Sequence, residues 1–403
     1  MRQTDVLIAG GGLAGSLAAA MLGRAGIDAV MVDPHLAYPP DFRCEKLDSV
    51  QLQTVKLTGI ADAVLAASTP DQECWVARRG RVVDKIPGVP QRGILYENLV
   101  NTVRSQIPSC VEIVQTKVTD VSAGPDRQTV KLSNGDEISA RLVMLATGLN
   151  INVRQKLGVE RQVLSPNHSI SIGFDVQPAG RPFPFSALTY FAERPSDRAA
   201  YITLFSIGTT TRANLFVYRD MHDPWLKQFR DAPEQSLDAM WPGLRKLIGD
   251  FTVSSFVQIR PVDLFVTSGY RKSGVVLVGD AFSSSCPAAG TGARKVLVDV
   301  ERLCNVHIPQ WLKTPGMAEE KISAFYDDPV KADCDTLSRE KAFKLKSYSI
   351  DLGMKWTALR LAKFLAIWAR GKLRQIMPAS SSNVDDDAHD NAPAWARSNP
   401  AHK

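Results

Sequence analysis

The chain has 403 residues, of which 44% are hydrophobic and 22% charged, and its 48 Lys and Arg against 42 Asp and Glu leave a net charge of +6. That length suits two intimately packed domains rather than one small core, and the balance is that of a soluble globular protein. Six cysteines with no CxxC pair and six histidines at no metal-ligand spacing argue against a disulfide scaffold or a bound metal, and fit a reducing, cytoplasmic compartment.

In chain order, residues 4–34 read as strand, glycine turn, helix and strand, ending on Asp33: a right-handed βαβ unit. A helix is expected at 46–60, a hairpin excursion near 76–90, a helix at 95–107, and then strands with a turn at Asn134-Gly135. Residues 1–165 are therefore read as the first part of a nucleotide-binding domain. From 166 to 270 short β-like runs such as "HSISIGFDV" and "RANLFVYRD" predict a separate antiparallel sheet, interrupted by one helical piece near 234–249. The chain returns to the first domain over 271–345, followed by basic helices at 346–378 and a polar, proline-containing tail at 379–403 expected to be disordered.

Gly10, Gly12, Leu13, Ala14 and Gly15 form a GxGxxG turn between the first strand and helix. The glycines allow a tight turn, close approach of a pyrophosphate to the backbone, and close helix packing. The phosphate then sits on the helix N-terminus, and Asp33 at the end of the second strand can accept ribose hydroxyls. This predicts a dinucleotide without saying which.

A second small-residue stretch follows a valine-rich strand: Gly279, Asp280, Pro287, Gly290, Thr291, Gly292 and Asp299. Its spacing resembles the second fingerprint of class A FAD-dependent monooxygenases, the para-hydroxybenzoate hydroxylase-like family. The resemblance covers roughly residues 1–345. It implies an α/β fold in which a Rossmann-like FAD-binding domain is interleaved with an antiparallel substrate sheet, plus C-terminal helices. By the same resemblance Asp280 meets the ribityl chain and the Gly290–Gly292 backbone meets the edge of the isoalloxazine. Arg43 stands where the family often has a phosphate- or adenosine-side arginine, and Arg92 is a candidate flavin neighbour or a helix-terminus arginine. Gly148 and Arg154 occupy the third motif, which serves FAD and the nicotinamide donor. Thr147 and Asn152 stand there in place of its usual Asp and Ser, and Phe282 in place of a frequent histidine.

The implied activity is NAD(P)H- and O2-dependent hydroxylation or epoxidation of an aromatic or polycyclic small molecule through a flavin hydroperoxide. The alternatives are a flavin-dependent halogenase, a prenyl-type flavin reductase, and a flavin-binding partner protein without turnover. Aromatics of the middle sheet (Phe174, Tyr190, Phe191, Tyr201, Phe205, Phe216, Tyr218) either line an apolar pocket or form ordinary core. Tyr190, Tyr201, His168, Arg212 and His222 are candidates for orienting substrate.

Residues 341–374 hold nine Lys or Arg against one acid, Asp351, so the rest of the chain is slightly acidic and nucleic acid is not an expected partner. The segment 354–374 reads as a helix packed on the flavin domain with a solvated basic edge. The alternative is peripheral contact with an anionic membrane.

Overall fold

The computed structural model describes residues 1–88 and 91–376. The expected disordered tail at 379–403 lies outside the described residues.

The chain opens with β1 (Arg2–Ala9), α1 (Leu13–Arg24) and β2 (Ala29–Val32), then β3 (Cys44–Leu47), α2 (Ser49–Leu57) and α3 (Ala61–Ala67). Next come β4 (Thr69–Pro70), β5 (Glu73–Arg78), β6 (Arg81–Pro87), β7 (Arg92–Leu95) and α4 (Tyr96–Arg104). β8 (Glu112–Val114), β9 (Val118–Ser122), β10 (Gln128–Leu132), β11 (Glu137–Leu145) and α5 (Asn152–Lys156) complete this part. β8, β2, β1, β11, β10 and β9 lie side by side in that order, parallel from β8 to β11. β1 is a near-continuous apolar run because both its faces are covered, and Val6, Leu7 and Ile8 are fully buried. α1 is buried along every residue from Leu13 to Gly23. It is wedged against the sheet, α4 and a later helix, and seven of its twelve residues are alanine, glycine or serine.

A second sheet of eight strands contains β12 (Glu160–Pro178), β13 (Ala187–Phe191), β14 (Ala199–Ile207), β15 (Thr210–Val217), β16 (Phe251–Val253) and β17 (Gln258–Ser268). The order runs β16-β12-β15-β14-β13-β5-β6, with β17 also on β12. The hairpin expected as an excursion near 76–90 thus belongs to this sheet, because β5 pairs in parallel with β13. Arg79 and Gly80 make its turn with φ of 51° and 67°, the conformation a two-residue hairpin needs. The one helical piece expected near 234–249 is three: α6 (Pro224–Asp231), α7 (Pro233–Met240) and α8 (Pro242–Ile248). Each begins on a proline, which suits a first helical turn and cannot continue the preceding helix.

The chain returns through β18 (Val275–Leu277), parallel to the end of β11, and α9 (Gly292–Arg302). α10 (Ile308–Trp311), α11 (Glu319–Tyr326), α12 (Pro329–Ile350) and α13 (Met354–Ile376) follow. α12 packs on α9 and β14, so it bridges the two sheets, while α13 lies along β6.

Candidate active site

The first glycine turn has the shape its residues require. Gly10 sits at φ +104°, where a Cβ would stand 2.6 Å from the Ala146 carbonyl oxygen, and a Cβ on Gly15 would overlap the Gly10 carbonyl oxygen. On the outer side of the turn, a Cβ on Gly12 would meet no protein atom within 4 Å. α1 starts at Leu13 with Gly12 as an N-cap that offers no side-chain hydrogen bond. The N–H groups of its first turn, on Leu13, Ala14 and Gly15, are left for an external acceptor at the positive end of the helix. Asp33 borders the turn: Oδ2 accepts from the Gly11 N–H at 2.7 Å, and Oδ1 from the His35 N–H at 2.9 Å. Arg104, absent from the expected residues, lies 3.1 Å from Asp33 and donates to the Gly11 carbonyl at 3.0 Å.

The second glycine stretch meets the first. Gly279 follows β18 at φ +58°, and a Cβ there would stand 3.2 Å from Val296 on α9 and 4.0 Å from Ala14 on α1. α9 also begins without a capping side chain; the Thr291 hydroxyl is 2.6 Å from that of Ser338 on α12 instead. Pro287 opens a short 3-10 turn, and Gly290 at φ +64° faces open space while its carbonyl accepts from Gln51 at 3.3 Å. Arg154, buried, donates to the Ala281 carbonyl at 2.6 Å and the Asn150 carbonyl at 3.2 Å, and Gly148 turns at φ +57° just past β11. Three motifs far apart in the chain therefore converge on one slot.

Behind the second turn sits a buried ion cluster. Asp299 accepts from the Gly279 N–H at 2.8 Å and from Lys331 at 2.7 Å. Lys331 also reaches Asp335 at 3.0 Å, and Lys295 lies 3.4 Å from Asp335 and 3.0 Å from the Ser283 carbonyl. Burial opposes the charge on Lys331, but the two carboxylates outweigh it and raise its pKa.

Three further charged groups lie close enough to act on one another. Burial pushes the Asp280 carboxyl above its ordinary range, against the pull of Lys295, Arg43, Arg154 and Arg161. The Glu45 carboxyl is pushed up to about 7, chiefly by burial, with Arg43 opposing and Asp280 and Asp41 adding to the rise. Arg43 is paired with Asp41, takes the Tyr38 hydroxyl as acceptor at 2.8 Å, and lies 3.8 Å over the Tyr96 ring. Arg92 is placed at a helix terminus: it donates to the Leu65 carbonyl at 2.6 Å, the Ser68 carbonyl at 2.9 Å and the Ser68 hydroxyl at 2.7 Å, at the end of α3.

The parity of the second sheet sorts the substrate candidates. Across four strands Val76, Thr189, Thr203 and Asn214 stand opposite one another. All four keep accessible area although their strands are internal to the sheet. In the next row Phe191, Tyr201 and Phe216 pack edge to face, and the Tyr201 hydroxyl donates to the Ala288 carbonyl of the second stretch at 2.5 Å. This face therefore borders the slot. The opposite face is closed core, and Tyr190, fully buried against Trp241, belongs to it. Its hydroxyl donates to Glu193 at 2.6 Å and accepts from the Gly80 N–H at 2.8 Å, so it is not aimed at the slot.

Phe174 lies on that closed face too, packed on Phe229. Phe205 is buried with Cys74 and Ala187, and Tyr218 is buried beside His168. Arg212 holds Asp175 at 2.6 Å and the Phe42 carbonyl at 2.9 Å, which pins the loop before β3 to the sheet. His168 is fully buried between the Ser165 hydroxyl at 3.1 Å and the Ala342 carbonyl at 3.3 Å. His222 is exposed in the turn before α6, and its N–H donates to Asp220 at 2.8 Å.

Among the described residues, no group of three or more His, Cys, Asp or Glu could hold a metal ion. The chain matches the FAD binding domain family over residues 3–306. It belongs to that family. FAD is its cofactor, and the geometry fits: two uncapped helix starts, glycines open on the slot side, and charged groups between them. The aklavinone 12-hydroxylase DnrF of Streptomyces peucetius subsp. caesius is 25% identical over 330 residues, covering 73% of this chain and 65% of the relative. This chain thus spans a little under two thirds of that protein. The 3-demethoxyubiquinol 3-hydroxylase of Escherichia coli K12 is 25% identical over 331 residues, covering 76% and 80%. Among solved structures, the p-nitrophenol 4-monooxygenase PnpA of Pseudomonas putida DLL-E4 superposes with a TM-score of 0.72 at 17% identity, over 92% of this chain and 95% of that one. That last likeness speaks for the fold.

Proposed function

We propose that the chain is an FAD-dependent monooxygenase that uses NAD(P)H and O2 to hydroxylate or epoxidise an aromatic or polycyclic small molecule. The observation that carries this reading is the position of the slot. The two uncapped helix starts approach each other at Gly279 and Ala14, and the Tyr201 hydroxyl ties the second stretch to the face of the second sheet that keeps accessible area. Relatives named as hydroxylases of aklavinone and of demethoxyubiquinol support the substrate class.

In this reading the first turn of α1 binds the pyrophosphate, Asp33 the adenosine ribose, and Asp280 the ribityl chain. Reduced FAD supplies the activation of dioxygen. The start of α9 favours negative charge at the ring edge through its free N–H groups and dipole. Phe191, Tyr201 and Phe216 form the apolar wall that excludes water, while Thr189, Thr203 and Asn214 offer polar atoms that orient a ring hydroxyl or carbonyl. Glu45, poised near 7, can hold or release a proton at neutral pH beside Asp280.

The test is to load the purified chain with FAD, screen aromatic compounds for stimulated NADPH oxidation, and follow isotope-labelled dioxygen into product. One labelled oxygen atom per product is expected. Turnover that demands a halide, or that proceeds without oxygen, would sink the proposal.

A further inference from the structure

We propose that α13 docks this enzyme on an anionic membrane surface. The docking does not rest on the oxygenase reading.

α13 carries two apolar faces. Against the protein it presents Phe364, Ile367 and the buried Gly371, whose Cα comes so close to the Val83 carbonyl that a side chain would overlap it. Trp356 is also half-buried. The residues whose helical positions place them among the basic ones are thus the inner face, and the helix rests on β6 rather than on the flavin domain. Its other side shows Met354, Leu361, Leu365 and Trp368, which are 89%, 59%, 50% and 48% exposed. Their spacing of 7, 4 and 3 residues puts them on one line about 21 Å long at 1.5 Å per residue.

Charge selects the occupant. Lys341, Lys344 and Arg370 stand close enough to Lys363 to push its pKa down, after the larger effect of burial. The only acid from 341 to 374 is Asp351. Such a surface repels a second copy of itself and attracts anionic headgroups, while the straight apolar line with a tryptophan suits a plane. Among the described residues no helix is long and apolar enough to cross a membrane, so α13 would lie in the interface.

Under the inner face, Phe364 and Ile367 cover a small gap of about 40 Å³ that is lined also by Val76 and Phe191 of the slot-facing side of the sheet. Its rim carries Arg78, Arg194, Arg360 and Lys363.

The experiment is co-sedimentation of the FAD-loaded full chain with phosphatidylcholine vesicles, with and without a quarter phosphatidylglycerol, at low and high salt. Binding only to the anionic vesicles, reversed by salt, is expected. Lys355→Gln should weaken it roughly fivefold, the effect of one cation near such a surface. Leu365→Glu with Trp368→Glu should abolish binding while leaving the visible flavin spectrum unchanged. Phe256→Ser, which removes an exposed aromatic at the other edge of the second sheet, should change nothing.

No sedimentation with anionic vesicles at low salt overturns the proposal, as does equal binding to both compositions. A dimer disrupted by Leu365→Glu in a protein that ignores vesicles would assign the ridge to a second copy and overturn it too. Footprinting that shows 361–368 protected in a vesicle-free monomer would assign the ridge to residues 377–403, with the same consequence. A chain that binds vesicles but never oxidises NADPH would instead refute only the oxygenase reading.

Discussion

Replacing Lys331 by methionine tests whether the buried ion cluster holds the flavin turn in place. Lys331 is 1% exposed, and its ammonium lies 2.7 Å from Asp299 and 3.0 Å from Asp335. At an effective dielectric of about 20, the Asp299 contact alone corresponds to an attraction of about 6 kcal/mol. Desolvation of the lysine offsets part of that. Removing it, however, strands a carboxylate that cannot reach water, and such a break costs about 3–5 kcal/mol, a large share of a typical total stability of about 5–15 kcal/mol. Asp299 also holds the Gly279 N–H at 2.8 Å, so the damage should reach the cofactor. Urea unfolding of Lys331→Met should show the stability loss, and titration with FAD, read by fluorescence quenching, should show affinity about tenfold lower, or about 1.4 kcal/mol. The exposed substitution Lys56→Met should leave both readouts unchanged. A stability loss under about 1 kcal/mol for Lys331→Met, with unchanged FAD affinity, would refute the reasoning, because the cluster would then be dispensable.

Gly15→Ala should yield a folded but colourless protein, since its Cβ collides with the Gly10 carbonyl at the phosphate turn; flavin content per chain after purification checks this. His168 has its pKa pushed from 6.5 to about 4 by burial and by Lys346. The unfolded chain therefore takes up a proton that the folded chain refuses, and stability should fall as pH drops from 6.5 towards 4, by about 3 kcal/mol. Unfolding of His168→Gln across that range should lack this component. Tyr201→Phe should retain FAD but release more hydrogen peroxide per NADPH consumed, measured against product formed, because the wall loses its tie to the Ala288 carbonyl. His222→Ala should leave NADPH oxidation unchanged, whereas Tyr190→Phe should lower stability by about 1 kcal/mol without altering KM.

Much of the flavin half was legible because its signals are local. The glycines of 10–15 and of 279–292, the strand before each and the helix after each are contiguous in the chain, and their chemistry is set by backbone conformation. The supporting contacts were not legible. Arg104 reaches a carbonyl 93 positions away, and Gln51 one 239 positions away; no short pattern encodes such a distance. Lys331 likewise meets Asp299 only because α12 packs on α9.

The substrate candidates could not be told apart for a different reason. Alternation along β13 and β14 says that Tyr190 and Ile202 share a face and that Tyr201 has the other. It cannot say which face meets the flavin half, and so Tyr190 and Tyr201 looked alike. The parity that separates them comes from the packing of α6–α8 against one side. Pro233 and Pro242 mark the helix starts. The place of the 73–87 hairpin in the second sheet depends on pairing with a strand over one hundred residues later, which alternation alone does not reveal.

That interleaving has a consequence for synthesis. β1 finds its neighbour β11 only after residue 137, β5 and β6 wait for β13, and the last wall of the slot is residues 279–302. A ribosome must therefore deliver about three quarters of the polypeptide before any vitamin-derived ring can be captured, and no early fragment can hold it. Shortage of riboflavin should accordingly act late, on chains already released, and a recombination event that exchanged the middle of the gene would carry away only part of its sheet.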